Sequence, residues 1–190
     1  MAKAAANATI GFLTVVEHEQ HGLFGGYLLL NMLGRPLEFH CTTPVKPNRA
    51  QQILYGPTLD PFLYGETIGQ TLLSKASVEA EVICTDLPAV LALRRIVSLP
   101  LALVTTEDAA KPETDTASSG KTFRVDAPGT RRAFQDVFHI GRNALSVDVL
   151  YAGDARLVQE RLAGLDEQFD LQEPFARIRE AIQEAQGSSR

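Results

Sequence analysis

Three runs of apolar and β-branched residues, each bounded by turn-forming residues, occupy the first 43 positions of the chain. The runs are residues 10–17 (IGFLTVVE), 24–31 (FGGYLLLN) and 37–43 (LEFHCTT). Residues of these types favour strands, and the short segment LGRP between the second and third runs is typical of a hairpin loop. Strands joined by such short loops run antiparallel. The sequence therefore predicts an N-terminal antiparallel three-strand meander.

The pattern changes from strand to helix after the third run. Asn48 is a suitable N-cap for a short helix over residues 48–55, which a Gly–Pro pair ends. A second helix is predicted over residues 60–76, with Asp60 as its N-cap and with Gly65 and Gly69 on its inner face. Each glycine costs about 1 kcal/mol against alanine inside a helix. We therefore expect the two glycines to allow a close approach of this helix to another backbone.

Two short apolar runs, residues 81–85 (EVICT) and 101–105 (LALVT), follow these helices. Uninterrupted apolar strands of this length are typical of parallel sheets covered on both faces. The residues between them, from Asp86 to about position 96, predict a helix, so the unit is expected to be a parallel β-α-β crossover. The order β-β-β-α-α-β-α-β predicts a mixed α/β core domain over residues 1–106, in which parallel strands extend the meander and helices cover it.

A polar segment at residues 107–121 (EDAAKPETDTASSGK) has almost no apolar side chain to bury, which predicts a flexible connection. Residues 122–190 are expected to form a C-terminal α+β extension. The patterns there predict a helix over residues 131–139 and a strand over 144–151, followed by two terminal amphipathic helices. The last helix carries an apolar stripe made of Phe175, Ile178, Ile182 and Ala185.

Acidic residues at three points of this order allow an enzymatic interpretation. If the strands are arranged in the order 3-2-1-4-5, the topology resembles the RNase H-like fold. That family holds divalent metal ions with carboxylates on its first strand, its first helix and the end of its fourth strand. The corresponding residues here are Glu17, Glu66 and Asp86. The resemblance implies a divalent-metal-dependent nuclease or phosphoesterase that uses Mg²⁺ or Mn²⁺. An alternative role for Asp86 is the N-cap of the helix that follows it.

Motifs of high specificity for catalysis or cofactor binding are absent from the sequence. It contains no GxxxxGK[ST] or GxGxxG phosphate loop and no GxSxG, CxxC or HExxH. The spacing His18-x-x-His21 lies in a predicted turn and lacks the helical context of a zinc site, so we interpret these histidines as polar turn residues. Outside the nuclease alternative, the sequence therefore predicts no cofactor and no metal.

Residues 43–69 concentrate more turn-forming and hydrogen-bonding side chains than a structural connection needs. We predict that this segment binds a partner through five candidate residues: Asn48, Arg49, Gln52, Tyr55 and Tyr64. The segment and the terminal sequence EPFARIREAIQEA resemble an uncharacterised bacterial protein family. This resemblance extends over most of the chain and implies a cytoplasmic protein, without implying an activity. The first hypothesis is therefore a non-enzymatic interaction or assembly module that binds a protein partner or a second copy of itself, and the metal-dependent nuclease is the alternative.

Charge and composition agree with a soluble chain. The 18 basic and 23 acidic residues give a net charge of −5, which does not favour nucleic acid as a partner but leaves it open. No apolar run approaches the roughly 20 residues of a membrane-spanning helix, and no secretory signal is visible. Cys41 and Cys84 are too few for a disulfide framework, and we expect both to be buried, reduced thiols of a cytoplasmic protein.

Overall fold

A mixed sheet of seven strands organises the protein. The computed structural model describes residues 8–105 and 137–187. The strands in these residues are β1 (Thr9–His18), β2 (Gly22–Asn31), β3 (Pro36–Cys41), β4 (Val82–Thr85), β5 (Leu101–Thr105), β6 (Phe138–Ile140) and β7 (Asn143–Ser146). Their order across the sheet is β3-β2-β1-β4-β5-β7-β6, so β3 and β6 are the edge strands.

The strand directions confirm the predicted mixed α/β architecture with an N-terminal meander. β1, β2 and β3 pair antiparallel, and β4 and β5 extend the sheet beyond β1 as parallel strands. β7 pairs antiparallel with β5, and β6 pairs antiparallel with β7. The first five strands therefore have the order on which the resemblance to the RNase H-like fold depends. The resemblance itself stays a prediction.

Helices cover both faces of this sheet. They are α1 (Arg49–Tyr55), a π-helix (Pro61–Gly69) continued by α2 (Gln70–Leu73), a 3₁₀-helix (Pro88–Arg95), α3 (Asp154–Arg161) and α4 (Glu173–Gly187), with short 3₁₀ turns at Gly56–Thr58 and Val149–Tyr151. The π-helix, α2 and the 3₁₀-helix pack on one face, which we call the π-helix face. The helices α3 and α4 pack on the other, the α4 face.

Alternate residues of the central strand β1 enter the cores on the two faces, because successive side chains of a strand point in opposite directions. Ile10 and Phe12 belong to the core on the α4 face, and Leu13 and Val15 belong to the core on the π-helix face. All four are buried, and the most exposed of them, Val15, is 8% exposed. Side chains on both faces of β1 are therefore shielded from water, which explains its continuous apolar sequence.

The C-terminal part of the chain shares its sheet and its core with the N-terminal part. Strands β6 and β7 lie in the same sheet as the meander. The predicted apolar stripe of the last helix is buried at Phe175, Ile178 and Ile182, while Ala185 is exposed. The ring of Phe175 meets that of Phe12 edge to face, with centroids 5.6 Å apart. The predicted core domain and the predicted extension therefore share one sheet and one core. The predicted connection at 107–121 lies outside the described residues.

Two local predictions for the C-terminal part are wrong. The end of the helix predicted over 131–139 is strand β6, although residues 131–136 lie outside the described part of the chain. The strand predicted over 144–151 ends at Ser146. Gly141 has a φ of +54°, in the left-handed region, and closes the hairpin between β6 and β7. Pairing of β7 with β5 and β6 therefore decides the local structure, against the helical pattern of the sequence.

The predicted close approach at Gly65 is confirmed. A Cβ atom added to Gly65 would lie 2.7 Å from the backbone nitrogen of Leu93 and 2.9 Å from Cβ of Ala92. Both residues belong to the 3₁₀-helix, so Gly65 lets two backbones pack against each other. The Asp60 side chain makes no capping hydrogen bond, contrary to its predicted role.

An ion pair between the half-buried Arg94 and the buried Asp154 connects the 3₁₀-helix, α3 and the beginning of β5. The Arg94 guanidinium donates from Nε and Nη2 to the carboxylate of Asp154 at 2.7 and 3.2 Å, and from Nη1 to the carbonyl of Val97 at 2.8 Å. The Leu101 backbone N–H donates to the same carboxylate at 3.4 Å. Arg94 also lies 4.6 Å from the ring centroid of Tyr151. The hydrogen bond to Asp154 raises the pKa of Arg94.

The two cysteines have different surroundings, which corrects the prediction that both are buried. Cys84 on β4 is buried, and burial raises the pKa of its thiol to about 12. Cys41 is exposed together with Leu37 and Phe39 on the same side of β3. On this side of the sheet, α4 packs on β1 and β2, where Ile178 lies over Gly26, and the edge strand β3 stays open.

In the part of the chain that the structure describes, no helix has the length and apolar character needed to cross a membrane.

Candidate functional site

The structure does not gather the three carboxylates of the nuclease hypothesis into one metal-binding group. Glu17 is exposed near the end of β1, on the π-helix face, where its charge acts on Tyr64. Asp86 follows β4 and forms an ion pair with Arg179 of α4 on the opposite face. Glu66 is half-buried on the π-helix. Among residues 8–105 and 137–187, no group of three or more His, Cys, Asp or Glu side chains is placed to hold a metal ion.

Asp86 also lacks the capping role considered as an alternative. The 3₁₀-helix begins after Leu87, whose backbone N–H donates to the Thr85 hydroxyl at 3.2 Å. Asp86 instead connects the end of β4 with α4 through its ion pair with Arg179. The structure therefore gives this carboxylate a role in packing α4 on the sheet.

The turn between β1 and β2 has the polar structure predicted for its histidines. Nδ1 of His18 accepts the backbone N–H groups of Gln20 and His21 at 3.2 and 3.3 Å. The rings of His18 and His21 lie with centroids 4.6 Å apart. Since its Nδ1 lone pair is directed at the backbone, His18 serves to shape the turn.

Helix α1 forms where the sequence predicts it and is held by a capping box. The Gln51 backbone N–H donates to Oδ1 of Asn48 at 2.8 Å, and the Asn48 backbone N–H donates to Oε1 of Gln51 at 3.0 Å. Gly56, with a φ of +49°, ends the helix. None of the seven residues of α1 is buried. The helix therefore depends on its local hydrogen bonds more than on packing.

The five predicted binding residues divide into two groups. Arg49 and Gln52 are exposed on α1. Asn48 is occupied by its capping role. The Tyr55 ring stacks on Phe62 with centroids 4.2 Å apart, which fixes the end of α1 on the π-helix.

The fifth predicted residue, Tyr64, is half-buried on the π-helix. Burial, assisted by the charges of Asp60 and Glu17, raises the pKa of its phenol. Tyr64 packs against the core of the π-helix face, so part of this side chain is structural. The structure thus leaves Arg49 and Gln52 as the predicted residues that are open to a partner.

Sequence reasoning missed two exposed residues of α1. Ile53 is 66% exposed and Leu54 is 81% exposed. The sequence pattern that could have revealed their exposure is the run of three apolar residues at 53–55. At about 100° per residue, three consecutive side chains span too wide an arc for one helix face to bury. Because Tyr55 turns toward Phe62, the two aliphatic side chains remain in water.

An open groove of about 330 Å³ is lined by residues that begin just after α1 in the chain; we call it the α1 groove. It begins at Pro57, three residues after Leu54, and lies between the first turn of the π-helix, the 3₁₀-helix and the residue that precedes the Val149–Tyr151 turn. Its lining includes the apolar residues Pro61, Leu91 and Ala92 and the charged residues Asp60, Asp148 and Arg95.

Most of the strongly exposed apolar side chains lie close in the chain to residues that line this groove. In the described residues, five large apolar side chains are at least half exposed: Leu33 (82%), Leu54 (81%), Leu150 (72%), Ile53 (66%) and Val149 (50%). Four of the five adjoin the groove in the chain, two just before Pro57 and two just after Asp148. Clustered exposed apolar residues with a polar rim are typical of interaction sites.

Comparison of the chain with models of protein families gives no match, and comparison with curated protein sequences gives no similar protein. The arrangement of α1 and its groove is therefore the basis for a functional interpretation.

Proposed function

We propose that this protein is a non-enzymatic interaction module and that α1, with the adjoining groove, is its binding surface. The proposal is carried by one observation. Ile53 and Leu54 are two-thirds exposed or more, on a helix that buries none of its own residues. A helix of this kind adds little to the core, and its exposed aliphatic side chains favour association.

The capping box supports this function because it orders α1 before any partner binds. An isolated helix of seven residues is marginal in water. The reciprocal hydrogen bonds of Asn48 and Gln51 and the stacking of Tyr55 on Phe62 hold it in place. A preformed binding element loses less conformational entropy on association than a flexible one.

The charges near α1 indicate the chemistry of the partner. Residues 43–59 carry Lys46 and Arg49 and no carboxylate, in a chain with a net charge of −5. The ammonium of Lys46 also donates to the backbone carbonyl of Gln20. The fitting partner is a protein with an apolar surface and acidic groups at its rim, because complementary charges set orientation and increase the association rate. The free thiols Cys41 and Cys84 agree with action in the reducing cytoplasm.

The experiment compares two leucines of equal exposure. Leu54→Asp places a charge on α1, and Leu33→Asp places the same charge on the loop between β2 and β3. The immobilised protein and both variants are exposed to lysate of the source organism, and captured proteins are quantified by mass spectrometry. A protein retained by the wild type and by Leu33→Asp, but lost with Leu54→Asp, is then purified and titrated by calorimetry.

The expected result is a dissociation constant that Leu54→Asp raises by about 10- to 150-fold, since burying a leucine contributes about 1.5–3 kcal/mol. Leu33→Asp should change it less than about threefold. The proposal is wrong if every captured protein, further copies of this chain included, binds Leu54→Asp as well as it binds Leu33→Asp.

A further inference from the structure

We infer that the partner of this surface is a second copy of the same chain, with α1 of each copy bound in the α1 groove of the other. This inference rests on the proposed function and assigns the partner. It follows from three properties of the two elements: their charges, their apolar residues and their closeness in the chain.

The charges of helix and groove are complementary. Arg49 is exposed on α1, in a segment without carboxylates. The groove carries two carboxylates, Asp60 and Asp148, against the single guanidinium of Arg95. An acidic rim was the chemistry expected of the partner of α1, and the chain itself provides it.

The apolar residues are complementary as well. Ile53 and Leu54 project from α1, and the half-buried Pro61 lines the groove, with Leu91 and Ala92 buried at its floor. Val149 and Leu150, which follow Asp148 in the chain, add exposed apolar surface beside the groove. Docking of α1 would cover apolar area on both copies, which is the main favourable contribution to association.

The closeness of helix and groove permits a closed dimer. Leu54 and the first groove residue, Pro57, are three positions apart in one chain. A two-fold axis passing between the two elements brings each α1 to the groove of the other copy at the same time. Such an interface is isologous, so it closes without leaving a free binding site for further growth. Every contact occurs twice, and one substitution acts at two places.

The first test measures the mass of the full chain by sedimentation velocity between about 1 and 100 µM, the range in which ordinary interfaces dissociate. The wild type and Leu33→Asp should sediment as dimers. Because the substitution acts twice, Leu54→Asp should raise the dissociation constant of the dimer by about 100-fold or more. Circular dichroism checks that the variants are folded, and Ile53→Asp provides a second substitution with the same expected direction.

The second test uses charge reversal. Arg49→Asp alone and Asp60→Arg alone should each weaken the dimer by about tenfold or more, since like charges then meet twice across the interface. An equimolar mixture of these two variants should form a heterodimer, because opposite charges meet again at both contacts. The double variant Arg49→Asp/Asp60→Arg should dimerise for the same reason.

The results separate the inference from the proposed function. A wild-type chain that is monomeric at about 100 µM overturns the inference, and so does a dimer that is equally stable in Leu54→Asp and Leu33→Asp. If the chain is monomeric but another protein is captured through Leu54, the proposed function holds and the inference is wrong. If neither self-association nor capture depends on Leu54, both are wrong. Failure of the charge-reversed mixture to associate rejects the pairing of Arg49 with Asp60.

Discussion

Replacing Asp154 by asparagine removes one negative charge from the buried pair with Arg94 and keeps the shape of the side chain. Asp154 is 3% exposed, so water cannot take over the lost interaction. The amide oxygen, in the place of Oδ2, can still accept from the Leu101 N–H and from Nε of Arg94. The amide NH2 group, in the place of Oδ1, faces Nη2 of Arg94 with donor against donor, so this second hydrogen bond is lost. We expect this substitution to be among the most destabilising conservative changes in the protein.

The magnitude follows from the geometry of the pair. One hydrogen bond, from Nε at 2.7 Å, then meets a neutral acceptor, and the other, from Nη2 at 3.2 Å, is lost. A hydrogen bond to a charged group contributes about 1.5–3 kcal/mol and a neutral one about 0.5–1.5 kcal/mol, so weakening one and losing the other costs about 2.5–4.5 kcal/mol. This value is close to the roughly 3–5 kcal/mol for removing one partner of a buried pair. It is a large part of the about 5–15 kcal/mol that stabilises a typical domain.

Urea unfolding followed by circular dichroism measures this loss as a lower midpoint at an unchanged slope. One protein concentration is used throughout, because association shifts apparent stability. The matched control is Glu160→Gln, in which the carboxylate pairs with Arg156 at 2.7 Å but both side chains are more than half exposed. It should cost only about 0.3–0.5 kcal/mol. The reasoning is refuted if the two substitutions lower the free energy of unfolding equally.

Three further predictions concern packing, thiol chemistry and the cap of α1. Gly65→Ala should destabilise the protein by about 1–3 kcal/mol, because the added Cβ meets the backbone of the 3₁₀-helix. The control is Gly153→Ala, whose added Cβ has no neighbouring atom within 4 Å. Its free energy of unfolding should stay within about 0.5 kcal/mol of the wild type in the same urea assay. At pH 8, a thiol reagent should modify Cys41 rapidly and reach Cys84 only after denaturation, because burial keeps the pKa of Cys84 near 12 and the thiol protonated. Rapid modification of both cysteines in the native protein would contradict this. Asn48→Ala should speed amide hydrogen exchange in α1 about fivefold, as expected for about 1 kcal/mol lost from a cap. The free energy of global unfolding should stay unchanged, because α1 buries no residue. A clear fall in that free energy would show that the helix is part of the core.

Features that depend on neighbours in sequence could be predicted. The meander follows from short loops between strand-forming runs, and the start of α1 follows from Asn48, a residue type that favours the N-cap position. Gly65 was correctly interpreted because a glycine inside a helix needs a reason, and close packing is a common one. In these cases the local sequence and the tertiary structure favour the same conformation.

Features decided by distant contacts could not be predicted. Cys41 has the alternating pattern of a half-buried strand, but its exposure depends on where α4 lies on the sheet. Strand β6 exists because β7 is beside it. The nine-residue π-helix and its fit to the 3₁₀-helix also depend on packing that no local pattern encodes.

The candidate site shows the same division. Polar and aromatic residues were chosen because such side chains bind ligands, yet Asn48 and Tyr55 serve the internal structure of the segment. Ile53 and Leu54 were overlooked because apolar residues of a helix are expected to face a core. No core lies beneath α1, and that fact belongs to the tertiary structure.

Because α4 lies near the end of the chain, the core on the α4 face can be completed only late in synthesis. Strand β2 ends at Asn31 and α4 begins at Glu173, so at 5–20 residues per second the ribosome needs about 7–30 s to make the intervening chain. During this interval, Phe12 and Leu28 lack the helix that covers them in the finished protein. The nascent chain therefore exposes an apolar sheet surface for many seconds. A chain interrupted before α4 should be a substrate for chaperones and proteases instead of a smaller folded protein.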